Sequence, residues 1–130
     1  MGDLRNIVLY VSGPYRGDVD KNIAAARAAA IELWELGYAV ICPHLNTANF
    51  QNDCHIEDGE YILGDLEILK RCDGMIMLPG WETSEGACAE MRHAVDLNMK
   101  VTSLQVIKDL TKFAAYADAV LNDTLDEHGY

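Results

Sequence analysis

Positive charge is scarce in this sequence. Its 10 Lys and Arg stand against 21 Asp and Glu, a formal net charge of −11. Such a surface repels phosphate backbones, which excludes nonspecific binding to a nucleic-acid polymer. It also disfavours docking on anionic membranes. No apolar run approaches the ~20 residues that a membrane-spanning helix needs. Met1 to Arg5 lead straight into a strand-like segment, so no signal peptide is expected, and the expected compartment is cytoplasmic. The four cysteines, Cys42, Cys54, Cys72 and Cys88, lack CxxC spacing. Buried free thiols are therefore expected, rather than disulfides or a zinc site. His44, His55, His93 and His128 show no metal spacing either, and neither metal nor cofactor is expected. No repeat, low-complexity tract or linker interrupts the 130 residues, a length that suits one domain.

What is present is an alternation of apolar runs and helical patterns. Ile7 to Val11 is a continuous apolar run, as expected for a strand covered on both faces, and Ser12-Gly13-Pro14 ends it. Asp20 or Asn22 can cap a helix running to about Leu36, with Ile23, Ala26, Ala30 and Trp34 on one face. Gly37 fits the C′ position that closes it. Tyr38 to Cys42 reads as a second strand, stopped by Pro43. The stretch from His44 to Asp58 is long, polar and irregular, a kind of loop that is often functional. Helices are expected over 59–71, 85–98 and 108–121, with strands over 74–78 and 101–104. This predicts an α/β fold over 1–121, a single doubly wound parallel sheet of about four to five strands with helices on both faces. A polar tail is expected over 122–130. Ligands in such folds bind beyond the carboxyl ends of the strands, where Gly13 to Gly17, Pro43 to Asn52 and Pro79 to Gly86 converge.

Two acids break the apolar pattern. Asp65 lies three residues after Ile62 and four before Leu69, on the inward stripe of its helix. Glu90 lies three after Ala87 and four before Ala94, on a stripe shared with Met91 and Val95. A carboxylate on a core-facing stripe is expensive unless it is paired, protonated or lining a cavity. Each could also reach water from a helix edge. Nearby, Gly13-Pro14-Tyr15-Arg16-Gly17 could receive a phosphate through backbone N–H groups and a guanidinium, or form a plain turn. It is neither GxGxxG nor a Walker loop. Ser84 reads as an N-cap, with room for an anion at the same helix start. Tyr10 closes the first strand as a core aromatic or a site residue. Trp81 could stack on a base or cover the core.

Three segments resemble the nucleoside 2-deoxyribosyltransferase superfamily, which includes the nucleoside 5′-monophosphate N-glycosidases. They are Leu9 to Gly17, Asp65 to Gly74, and Ser84 to Met91, the last like the family's Ser-x-Gly-x-x-x-Glu. Their order and spacing match, and the chain is most similar to a small phage and bacterial branch of mostly unassigned activity. The resemblance implies a flavodoxin- or Rossmann-like fold and a nucleophile at Glu90 that attacks C1′ and forms a glycosyl-enzyme ester. It implies that Asp65 assists base departure or positions the sugar, and that Tyr10 orients the nucleophile. Gly13, Arg16, Gly17, Ser84 and Gly86 would bind substrate or its 5′-phosphate. Arg16-Gly17 and Ser84 look like the monophosphate N-glycosidases, whereas Gly13-Pro14 looks like the transferases. The implied partners are a small-molecule nucleoside or nucleotide and a second copy of the chain in a homo-oligomer, whose neighbouring subunit, or the tail to Tyr130, completes the site.

Asp73 to Gly80 also resembles the lysine-decarboxylase-like phosphoribohydrolases. Those continue Pro-Gly-Gly-x-Gly-Thr-x-x-Glu, and here Trp81, Thr83 and Ala87 replace the second and third Gly and the Glu. The alternative to catalysis is a nucleotide-binding sensor or regulatory module of the same fold. Two inward acids facing an anionic ligand argue against it.

Overall fold

β1 (Leu4–Ser12) runs through the middle of a parallel sheet, hydrogen-bonded to β2 (Tyr38–Ile41) on one side and β3 (Gly74–Met77) on the other. β4 (Lys100–Ser103) follows β3, giving the order β2-β1-β3-β4. This computed structural model describes residues 4–128, with side chains through Asp123. Among the described residues the sheet has four strands, which is the doubly wound α/β architecture the sequence predicts.

Strand alternation sends alternate side chains to two separate cores. Leu9, Val11, Ile76 and Leu78 pack with Ala26, Ala29 and Leu33 of helix α1 (Val19–Glu35). Leu104 and Ile107 of α5 (Leu104–His128) close that layer. Tyr10, Met75 and Met77 face the other way, onto Leu69 of α3 (Asp58–Leu69) and Ala87 and Ala94 of α4 (Glu85–Asp96). The chain passes from β1 through α1 to β2, then returns across β1 through α3 to β3. The direction of winding therefore changes between β1 and β3, and a crevice opens beyond their carboxyl ends.

Several local expectations are corrected. Asp18, not Asp20 or Asn22, caps α1 by accepting from Lys21 N–H at 3.2 Å. Asn22 instead donates to the carbonyls of Tyr15 and Arg16, both at 3.0 Å, and so fastens the loop after β1. Leu33 takes the core position expected of Trp34, which lies outside with Arg5 over its ring at 5.3 Å. Val95 is likewise on the outer face of α4. Gly37 does close α1, at a φ of 110° that a side chain would strain. The segment 44–58 is less irregular than expected, holding a short helix α2 (Pro43–Asn46) and a 3-10 turn (Phe50–Asn52). α5 starts directly after β4 and continues to His128, where a polar tail was expected from 122 onward; residues 129–130 of that tail lie outside the described residues. The cysteines are free, but only Cys42 is buried and the other three are half-buried.

Candidate active site

The crevice is a cleft of about 850 Å³ lined from the loop after β1, from α2, and from the facing ends of α3 and α4. Gly13 sets its floor. A Cβ there would lie 2.8 Å from Cβ of Leu78, closer than atoms can approach, so glycine lets the exit of β1 pass beside the end of β3.

Glu90 sits at the base of the cleft, 8% exposed. Two residues of β1 on the same strand face hold it. Tyr10 donates its phenol to Oε2, and Ser12 donates its hydroxyl to Oε1 at 3.0 Å. Burial pushes the Glu90 carboxyl up to about 7. The bonds from Tyr10 and Ser12 pull it down, and the nearby Asp65 charge raises it further. Asp65 lines the cleft from α3 and is half-buried, and burial pushes it up to about 6. Tyr10 itself is fully buried and lies beneath the cleft rather than on its wall. Burial first, and then the charge of Glu90, hold its phenol proton far above the ordinary range.

The two acids therefore share one cleft and act on each other, as the helix spacing implied. Both titrate near neutrality, the range in which a carboxyl group can work as nucleophile, acid or base. Gly17, Ser84 and Gly86 also line the cleft. Ser84 is the N-cap of α4, accepting from Ala87 N–H at 3.2 Å. Arg16 reaches the cleft mouth but is engaged there, donating to the carboxylate of Asp58 at the first turn of α3. Trp81 packs against the α3–α4 core and does not line the cleft. His93 is not among the groups that act on Glu90. Among the described residues, no three His, Cys, Asp or Glu gather where they could hold a metal ion.

Four contributors are not among the expected site residues. Ser12 was legible, because it shares a strand face with Tyr10 two residues away. His44 is buried at the start of α2, with its Nε2 2.7 Å from the carbonyl oxygen of Pro14. A carbonyl only accepts, so Nε2 carries the proton and Nδ1 a lone pair, which has no hydrogen-bond partner among the described residues. Burial lowers the pKa of His44, against the opposing effect of the Pro14 and Gly13 backbone groups. The rings of Tyr15 and His44 meet in a T-shaped arrangement, 5.4 Å between centroids. Tyr15 also accepts from Asn49 N–H at 3.0 Å and donates to Gln51 at 3.2 Å, tying the two loops of the cleft together. Asp58 was hidden in a run of surface acids.

Residues 7–103 match a family described as "Domain of unknown function (DUF4406)". No curated protein matches the sequence. Among solved structures, a 2-deoxyribosyltransferase from Leishmania mexicana superposes with a TM-score of 0.57 at 16% identity over 75% of this chain. This chain spans 63% of the length of that one. A 2-deoxyribosyltransferase from the psychrotolerant bacterium Bacillus psychrosaccharolyticus superposes with a TM-score of 0.52 at 19% identity, over 74% of this chain and 70% of that one. At these identities the shared property is the fold.

Proposed function

The chain belongs to the family described as domain of unknown function (DUF4406), on the fold of 2-deoxyribosyltransferases, and from that premise we propose that it cleaves or transfers at the N-glycosidic bond of a nucleoside or its 5′-monophosphate. The observation that carries this reading is the buried Glu90, held by Tyr10 and Ser12 and facing the same cleft as Asp65. In its ionised form Glu90 attacks C1′ while the bond to the base breaks. Asp65, protonated in part near neutrality, gives its proton to the departing base. A glycosyl ester on Glu90 remains, and water or a second base resolves it with Asp65 now accepting a proton. The oxocarbenium-like transition state gains from carboxylates fixed in a half-dry cleft.

The reading is tested by free-base release from deoxynucleosides, ribonucleosides and their 5′-monophosphates. Release that vanishes in Glu90→Ala is expected. Full activity in that variant would overturn the mechanism.

The reading includes a homo-oligomer in the cytoplasm. The support for a second copy is the outer face of α5, where Val106, Leu110, Phe113, Tyr116, Val120 and Leu121 are exposed. A contiguous apolar patch of this kind on one helix face marks a contact surface more often than a free one. Among the described residues no helix is long and apolar enough to cross a membrane.

A further inference from the structure

Four carboxylates line the cleft, those of Asp58, Asp65, Glu85 and Glu90, and among the described residues one guanidinium, that of Arg16. That guanidinium is bound to Asp58, so the pair bridges the cleft mouth from the β1–α1 loop to the first turn of α3. Both side chains are largely exposed, at 75% and 67%, so a bound ligand meets the Asp58 charge whether or not the bridge stays closed. At the start of α4, the N-cap Ser84 accepts from Ala87 N–H and Glu85 adds a negative charge to the first turn. Each of the two features that would receive a 5′-phosphate therefore has a carboxylate beside it.

We propose that Asp58 is a specificity-determining residue, which by occupying Arg16 makes the cleft select a neutral nucleoside over its 5′-monophosphate. This rests on the N-glycoside reading above and narrows its substrate class. A phosphate monoester brings a charge of roughly −2 near neutral pH. To reach Arg16 it must displace Asp58 and leave that carboxylate unpaired beside it, with Glu85 on the opposite wall. A free 5′-hydroxyl displaces nothing, and it can donate to Asp58 while the bridge stays closed. Asp58→Asn keeps the shape of the side chain, removes its charge and releases the guanidinium.

The test is calorimetric titration of the four common deoxynucleosides and their 5′-monophosphates into the wild type, Asp58→Asn, and the double variant Arg16→Ala/Asp58→Asn. The wild type is expected to bind nucleosides more tightly than monophosphates. Asp58→Asn is expected to move the ratio of dissociation constants about tenfold toward monophosphates, and the added Arg16→Ala to abolish that movement. A wild type that favours monophosphates, a ratio unmoved by Asp58→Asn, or a shift that survives loss of Arg16 would each overturn the proposal. Base release measured in parallel separates the two levels. Turnover with an unmoved ratio removes the role of Asp58 alone. A moved ratio without turnover on any substrate removes the N-glycoside reading and leaves the selection by Asp58 standing. Absence of binding by either class overturns both.

Discussion

The phenol of Tyr10 donates to one oxygen of Glu90 although 80 residues separate them. The bond joins the central strand to α4 at the base of the cleft. It fixes the rotamer of the carboxylate and leaves the other oxygen to Ser12 at 3.0 Å. A buried carboxylate is tolerated only with such partners. They also set when it ionises, because a hydrogen bond to the charged form favours it.

Tyr10 and Asp65 act on Glu90 with opposite signs, and the two variants that remove them should separate. Tyr10→Phe deletes a donor that lowers the pKa of Glu90. The acidic limb of the kcat/KM profile, set near pH 7 by Glu90, is expected to move up by about one unit. Asp65→Asn deletes a negative charge that raises the same pKa. Its profile is expected to move down, while kcat falls about a hundredfold because the departing base loses its proton donor. Shifts in the same direction in both variants would contradict this arrangement. Initial rates across pH 5 to 9 decide the matter.

The same carboxylate makes folding stability depend on pH in an unusual direction. Glu90 is raised from the ordinary 4.5 to about 7 in the folded chain. Between those values the folded state holds a proton that the unfolded chain has released. Stability is therefore full below about 4.5 and declines as pH rises to about 7. The loss attributable to this one group is about 3 kcal/mol. Asp65, raised to about 6, adds in the same direction. Glu90→Gln removes the larger contribution. It is expected to be more stable than the wild type at pH 8 and to show a flatter profile. Urea midpoints at pH 5 and pH 8 measure both. A wild type that gains stability between pH 5 and pH 8 by comparison with Glu90→Gln would refute the assignment.

Much of this was legible in the sequence because it is periodic. Continuous apolar runs mark the buried strands, and a 3.6-residue period puts Asp65 and Glu90 on inward faces. Side-chain choices at helix edges were less legible. Trp34 and Val95 fall on the predicted stripes of their helices, yet their neighbours Leu33 and Ala94 fill the core and leave them outside. Periodicity fixes an angle only to within a residue. The union of Arg16 with Asp58 could not be read at all. The two are 42 positions apart, and their meeting depends on where α3 begins relative to the loop after β1. His44 belongs to the same class, since its bond to Pro14 exists only because two loops converge at the sheet edge.

The apolar face of α5 gives the last prediction, because exposure on this scale is costly for an isolated chain. Leu110 is 58% exposed and Phe113 is 66% exposed, one turn apart on the same side of the helix. Buried against a second copy, the area that each still exposes contributes about 1 to 2 kcal/mol per chain. A charge on each in place of the apolar group removes that gain and adds like-charge repulsion across the two-fold axis. The double variant Leu110→Asp/Phe113→Asp is therefore expected to elute as a monomer of about 14.4 kDa, whereas the wild type scatters light as a multiple of that mass. Both side chains are mostly exposed, so the variant should keep its helical circular dichroism. A wild type that is monomeric at tens of micromolar, or a variant that retains the wild-type mass, would show that α5 is not the contact.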